Sequence, residues 1–278
     1  MGRITIDTAR VLGVFADVHA GTYLAVAGEN RVKTHGGLYD PRMRNEGQLE
    51  IYGRWAQALE VCDEFDVDTV LLLGDLTDGT NRVESGYGQI STDLEMQKDM
   101  ALDLLKPLCE DRVVHVTNGS IYHESMDTKI HRQIAHRLED GAEEVHFHGF
   151  AASLDLKGTD KNFIFGHEWT SAMLYTATML DREHIYMKYA EALGKIPHFD
   201  YALGGHLHKF YHIDTGFMHL LVTPGWKSWY PYRGKLRLYG RMQPDIGFII
   251  IIIDDKNRSY VKPFVWNAPH ILDEMKEG

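Results

Sequence analysis

Five short apolar runs in this chain each stop at residues that can hold a metal ion or move a proton. "RVLGVFADVH" runs into Asp17 and His19, and "TVLLLGDLTD" into Asp75 and Asp78. "RVVHVTNGSIYHE" runs into Asn118, with His123 and Glu124 just beyond. "NFIFGHEW" ends at His167, and "YALGGHLH" at His206 and His208. Continuous apolar runs of this length are what parallel strands covered on both faces require. In open α/β sheets the ligand site lies outside the carboxyl ends of the strands. Five such endings confine the chain to folds in which those strand ends meet. His206 and His208 are two apart, so an extended backbone turns both rings to one side.

The segments between the runs read as helices in the first half of the chain. In "NEGQLEIYGRWAQALEVCDEF" (45–65), Asn45 caps a helix and Gln48 completes a capping box. Leu49, Tyr52, Ala56, Leu59 and Cys62 supply its apolar stripe. Residues 93–111 and 127–140 read as two further helices. From 143 the pattern changes. Residues 143–167 read as two strands joined by a turn around Lys157-Gly158-Thr159. Residues 171–194 read as a helix stopped by Gly194, with Pro197 beyond. Strands follow at 199–206, on either side of the turn Asp214-Thr215-Gly216, at 245–254 and at 260–265. Alternating β and α followed by a more antiparallel half predicts one α/β domain over residues 1–278, large enough to bury a core without staples.

The net charge is −11, which repels nucleic acid at long range. A phosphate-rich partner then needs a local positive site, and bound divalent cations supply one. Cys62 and Cys109 lie in apolar helical patterns and read as buried free thiols, as in a reducing cytoplasm. The first residues hold no apolar signal-peptide core, and no apolar run reaches the roughly 18 residues of a membrane helix. A cytoplasmic protein with no membrane partner is expected. The 16 histidines add weight to metal or acid–base chemistry.

Mixed carboxylate and imidazole ligands suit Mn, Fe, Zn or Co, with Mn favoured, over Mg and Ca, which prefer oxygen shells. The ligand count exceeds one tetrahedral ion, so two ions are expected. In two-metal sites the ions lie about 3.5–4 Å apart and clamp both oxygens of a displaced phosphoryl group. Asp75, in the middle of the order, is the candidate bridge.

The ordered set Asp17, His19, Gly74, Asp75, Asp78, His123, Glu124, Gly166, His167, Gly205, His206 and His208 resembles the calcineurin-like metallophosphoesterase family. The motifs span residues 17 to 208. The resemblance implies a four-layer α/β/β/α sandwich with mixed sheets. It implies a first ion on Asp17, His19, Asp75 and His208. A second ion falls to Asp75, an amide oxygen, His167 and His206. His123 then serves outside the metal shell, protonating the leaving group or steadying the transition state, while a metal-bridging hydroxide attacks phosphorus. One departure stands out. The family reads Gly-Asn-His-Asp or Gly-Asn-His-Glu at its third motif, whereas here Ser120, Ile121 and Tyr122 separate Gly119 from His123. This insertion resembles that of some phage and prokaryotic members. Asn118 and Ser120 are both candidates for the second-ion oxygen, Asn118 slightly ahead.

Other residues have plainer readings. Asp78 either supports a ligand or turns the chain in "LTDGT", the turn standing at least level. His115 reads as a core histidine, His131 and His136 as a solvated helix face, and His146 and His148 as sheet residues. His35, His184, His198, His212 and His219 carry no argument. Trp226, Lys227, Trp229, Tyr230, Tyr232 and Arg233 form an aromatic and basic loop, either a packed hairpin or a wall of the substrate groove. The leading function is a two-metal phosphoester hydrolase acting on a phosphodiester ahead of a monoester. Nucleic acid or a nucleotide is the natural substrate class. The alternatives are a non-catalytic scaffold of the same fold and a closed structural metal protein. The near-complete ligand set weighs against the scaffold, and the lack of paired cysteines against the structural site.

Overall fold

The computed structural model describes residues 8–34, 37–81, 86, 88–123, 129–168, 176–228 and 243–269. Its first sheet contains β1 (Thr8–Phe15), β4 (Thr69–Leu72), β5 (Val113–Val116), β6 (Glu144–Phe147), β12 (Asp245–Asp254) and β13 (Ser259–Asn267), in the order β13-β12-β1-β4-β5-β6. β1, β4, β5 and β6 run parallel, and β12 and β13 close one side antiparallel. The second sheet contains β7 (Ala151–Asp155), β8 (Asn162–Gly166), β9 (Tyr201–Gly204), β10 (Tyr211–Asp214) and β11 (His219–Val222), ordered β10-β11-β9-β8-β7. β8, β9 and β11 are parallel, with β7 and β10 antiparallel at the edges. Between β1 and α1 a small hairpin pairs β2 (Val32–Thr34) with β3 (Gly37–Tyr39).

Strand alternation builds the layers. On β12, Phe248, Ile250 and Ile252 pack with Phe15, Val70, Leu72 and Val114 under α1 (Glu46–Glu64), α2 (Leu94–Cys109) and α3 (Ile130–Leu138). The intervening Ile249, Ile251 and Ile253 face the other way and join Leu12, Val14 and Leu71 against Phe163, Phe165, Tyr201 and Leu203 of the second sheet. On the far side of that sheet, Ala202, Leu220 and Val222 pack with Leu180 and Met187 of α4 (Thr176–Ala192). The order is therefore helices, sheet, sheet, helix, with both sheets mixed, as expected. The isoleucine run of β12 reads as continuous because both its faces are buried.

Several local expectations hold. Asn45 caps α1 and exchanges hydrogen bonds with Gln48 in a full capping box. Cys62 and Cys109 are buried and free, their thiols pushed up to about 12 by burial. Three expectations are corrected. The buried face of α1 is Gln48, Ile51, Trp55, Ala58 and Cys62, while Leu49 is half exposed. Trp55 decides this: its bulk is accommodated against Phe15 and Trp226. Residues 143–167 form three strands, because the turn at His148, Gly149 and Phe150 carries the chain from β6 in one sheet to β7 in the other. His131 is fully buried, and its Nε2 accepts from Leu76 N at 3.0 Å, whereas His136 is exposed. Among the described residues no helix is long and apolar enough to cross a membrane.

Candidate metal centre

The carboxyl ends of β1, β4 and β5 meet those of β8 and β9 at one rim, and the chain turns sharply there. Asp17, His19, Asp75, His206 and His208 all have φ between 47° and 71°, the left-handed region uncommon for residues with side chains. Such strain costs on the order of 1–3 kcal/mol per residue and gathers where function demands it. Backbone hydrogen bonds hold it in place: Asp17 N donates to Gly74 O at 3.1 Å, and His19 N to Asp75 O at 2.9 Å. Gly74 and Gly119 let the third loop press onto the second. A Cβ on Gly74 would strike the Asn118 carbonyl, and one on Gly119 would strike Asp75 Oδ1.

Two groups of ligand atoms result. His19 Nε2 and His208 Nε2 are 3.2 Å apart, and Asp17 Oδ1 lies 3.6 and 3.3 Å from them. Asp75, His167 and His206 form the second group, with Asp75 Oδ2 2.9 Å from His167 Nε2. Ligands about 2.0–2.2 Å from a shared ion are separated by such distances. Asp75 Oδ2 also lies 4.0 Å from His19 Nε2, so one oxygen looks into both groups. Its other oxygen is taken by Ser120, whose backbone N donates at 2.8 Å and whose hydroxyl lies 3.1 and 3.3 Å from the two carboxylate oxygens.

Two buried oxygens at these strand ends, Asp17 Oδ1 and Asn118 Oδ1, find no hydrogen-bond partner, and His167 Nε2 has only the Asp75 carboxylate beside it. An unsatisfied buried polar atom costs about 1–3 kcal/mol, a cost that a cation against these oxygens would offset. The donor set of carboxylate, imidazole and amide oxygen fits divalent transition metals. The outer ring nitrogens are set as in metal sites: His167 Nδ1 donates to Leu73 O at 2.7 Å, and His19 Nδ1 lies 3.3 Å from Asp78 Oδ1.

The electrostatics agree. Burial opposes the charge on His167, but Asp75 and Asp17 overcome it and lift the imidazole to about 10. Burial likewise opposes the charge on Asp17 and Asp75, and the neighbouring histidines, His208 and His167 foremost, hold both well below the carboxylate range. His123 is pushed down to about 4 by burial and then by His19, and its ring meets His19 edge-on at 4.4 Å. Its Nδ1 donates to the Asp78 carbonyl at 2.7 Å.

Asp78 is the residue whose simpler sequence reading was misleading. It is fully buried, and its carboxylate meets Lys227 Nζ at 2.7 Å as well as His19. The glycine beside it invites a turn reading, and no local signal marks the distant lysine. His19, Asp78 and His123 would geometrically hold a third ion. The ammonium on Asp78 and the N–H that His123 turns to a carbonyl oppose a cation there. Trp226 is core and not a groove wall, while Trp229, Tyr230, Tyr232, Arg233, His35 and Glu124 fall outside the described residues.

Two facing mixed sheets between helix layers, with the candidate ligands along one rim, are the arrangement that the resemblance to calcineurin-like metallophosphoesterases implies. No family model and no curated protein matches the sequence. Solved structures similar to it include an archaeal phosphodiesterase, 13% identical, covering 91% of this chain and 99% of that one with a TM-score of 0.44. Vps29 of Chaetomium thermophilum is 10% identical, covering 94% and 100% with a TM-score of 0.42. Vps29 of Entamoeba histolytica, described in complex with zinc, is 15% identical, covering 92% and 99% with a TM-score of 0.41.

Proposed function

We propose that this chain, acting as one domain over residues 1–278, is a two-metal phosphoester hydrolase that prefers a phosphodiester, with a nucleotide or nucleic acid as substrate. The observation that carries the reading is the convergence of Asp17, His19 and His208 and of Asp75, His167 and His206 at ligand spacing, with buried oxygens of Asp17 and Asn118 left without a partner. A scaffold that binds no ion has no use for them. Asp17, His19, Asp75 and His208 would hold the first ion; Asp75, Asn118, His167 and His206 would hold the second. Asn118 is preferred to Ser120, whose hydroxyl is engaged by Asp75. When bound, the ions supply Lewis-acid charge and an activated water. Mn is the favoured metal.

The chain's own residues do the rest. Asp75 turns one oxygen toward both His19 and His167, from where it could serve either ion, while Ser120 fixes the other. The Asp78 carbonyl keeps one proton on His123 Nδ1, so Nε2 has to take up a second proton, making the ring an imidazolium, before it can protonate the leaving group. A positioned general acid contributes about 10²–10⁴-fold. The test is metal analysis of the purified protein with hydrolysis of a generic phosphodiester and a generic monoester, each with and without chelator. Metal-dependent turnover, greater on the diester, is expected. Full turnover by protein shown to be metal-free would sink the proposal. His123→Ala should keep both ions and lose more turnover on an alkoxide leaving group than on an activated aryl ester.

A further inference from the structure

Asp78 and Lys227 form a buried pair that the metal ligands do not by themselves require. Asp78 Oδ1 meets Lys227 Nζ at 2.7 Å and His19 Nδ1 at 3.3 Å. Its Oδ2 accepts from Asn81 Nδ2 at 3.1 Å and Gln89 Nε2 at 3.0 Å. The backbone carbonyl of the same residue takes His123. One residue therefore touches a candidate metal ligand, the candidate leaving-group residue and a cation.

The ammonium is delivered by an anchored loop. Trp226 N donates to Asp17 O at 2.9 Å, Val26 N to Trp226 O at 3.0 Å, and Ser228 N to Leu24 O at 2.7 Å. Trp226 itself is wedged in the core against Phe15 and Trp55. Lys227 thus stands beside the end of β1, with its side chain 13% exposed. A buried ion pair is a poor source of stability, since an apolar pair of the same shape serves as well or better. Its place on the oxygen that supports His19 calls for a role in the site.

We infer that Lys227 is a positioning residue that sets the charge of the centre through Asp78, steadying that carboxylate against His19 while leaving fixed positive charge that favours a substrate phosphate. This rests on the two-metal reading above. The two partners then pull in opposite directions. A carboxylate on the outer nitrogen of a ligating histidine raises its basicity and its hold on the ion. An ammonium on the same oxygen tempers that hold and attracts an anion.

The experiment is calorimetric titration of the chelator-stripped full chain with Mn²⁺, followed by titration of the loaded protein with inorganic phosphate. Asp78→Asn should weaken the first ion about 10–100-fold. Lys227→Met should bind Mn²⁺ at least as tightly as the natural chain and phosphate about tenfold more weakly, as the loss of one nearby charge dictates. Lys227→Arg should restore phosphate binding. If Lys227→Met fails to fold, judged by its melting curve, Lys227→Gln takes its place beside Lys227→Arg. A lysine variant that loses Mn²⁺ as Asp78→Asn does, or that binds phosphate like the natural chain, overturns the inference alone. A natural chain that binds no Mn²⁺ overturns the two-metal reading and this inference with it.

Discussion

Asn118 and Ser120 sit one residue apart around Gly119, yet they face different partners. Ser120 gives both its N–H and its hydroxyl to Asp75. Asn118 anchors its own backbone by donating to Gly149 O at 2.6 Å and leaves its side-chain oxygen unbonded and buried. On the proposed reading that oxygen is the amide ligand of the second ion. Asn118→Ala should therefore weaken the second ion by at least tenfold and leave the first intact. Ser120→Ala should keep both ions and cost about 0.5–1.5 kcal/mol of stability, the worth of an ordinary hydrogen bond. Anomalous scattering from crystals of each variant grown with Mn²⁺ checks this. Two full ions in Asn118→Ala would move the role elsewhere.

At the scale of elements, α1 illustrates how neighbours choose a helix face. Its hydrophobic residues are spread widely enough to suggest more than one stripe. Trp55 is the largest of them, and the space between Phe15 and Trp226 takes it. Once Trp55 is inward, Ile51 and Ala58 follow at helical spacing and Leu49 rotates half out. Ile51→Ala should cost about 2–5 kcal/mol, the range for a large-to-small change in a packed core. Leu49→Ala should stay within about 0.5 kcal/mol, as surface changes do. Urea unfolding midpoints decide between them, and equal losses would place the stripe where the sequence pattern first suggests it.

Across the whole molecule the candidate centre is a seam. Asp17, His19, Asp75 and Asn118 lie at strand ends of the first sheet, while His167, His206 and His208 lie at those of the second. Ions held between them would clip the two sheets together at one rim, above the apolar interface of Leu12, Leu71, Phe165 and Leu203. Metal should then stabilise the fold as well as serve chemistry. With free Mn²⁺ at about 100 times its dissociation constant, linkage gives about 2.7 kcal/mol. Scanning calorimetry should show a melting temperature that rises with Mn²⁺ and falls with chelator in the natural chain, and a much smaller response in Asp75→Asn. A melting temperature indifferent to metal would mean that the ions do not join the sheets.

The strand ends that carry the candidate ligands were legible in the sequence because they obey a local rule: an apolar run, often a glycine, then Asp, His or Asn. The capping box of α1 and the buried run of β12 were legible for the same reason, since capping and alternation are properties of a few adjacent residues. Asp78, Lys227 and His131 were not. Asp78 and Lys227 are 149 residues apart and meet only because β1, the loop after β4 and the loop after β11 share one rim. His131 looked like a solvated partner of His136 until α3 packed on β5 and brought it to Leu76 N. The change of sheet at Gly149 was equally hidden, because the strand run continues on both sides of it and only the second sheet supplies β7 with its partner. Sequence by itself determined which residues could be ligands and how the layers alternate. Tertiary structure decided which polar groups lost their water and with whom, because burial and pairing are set by neighbours that chain order does not name.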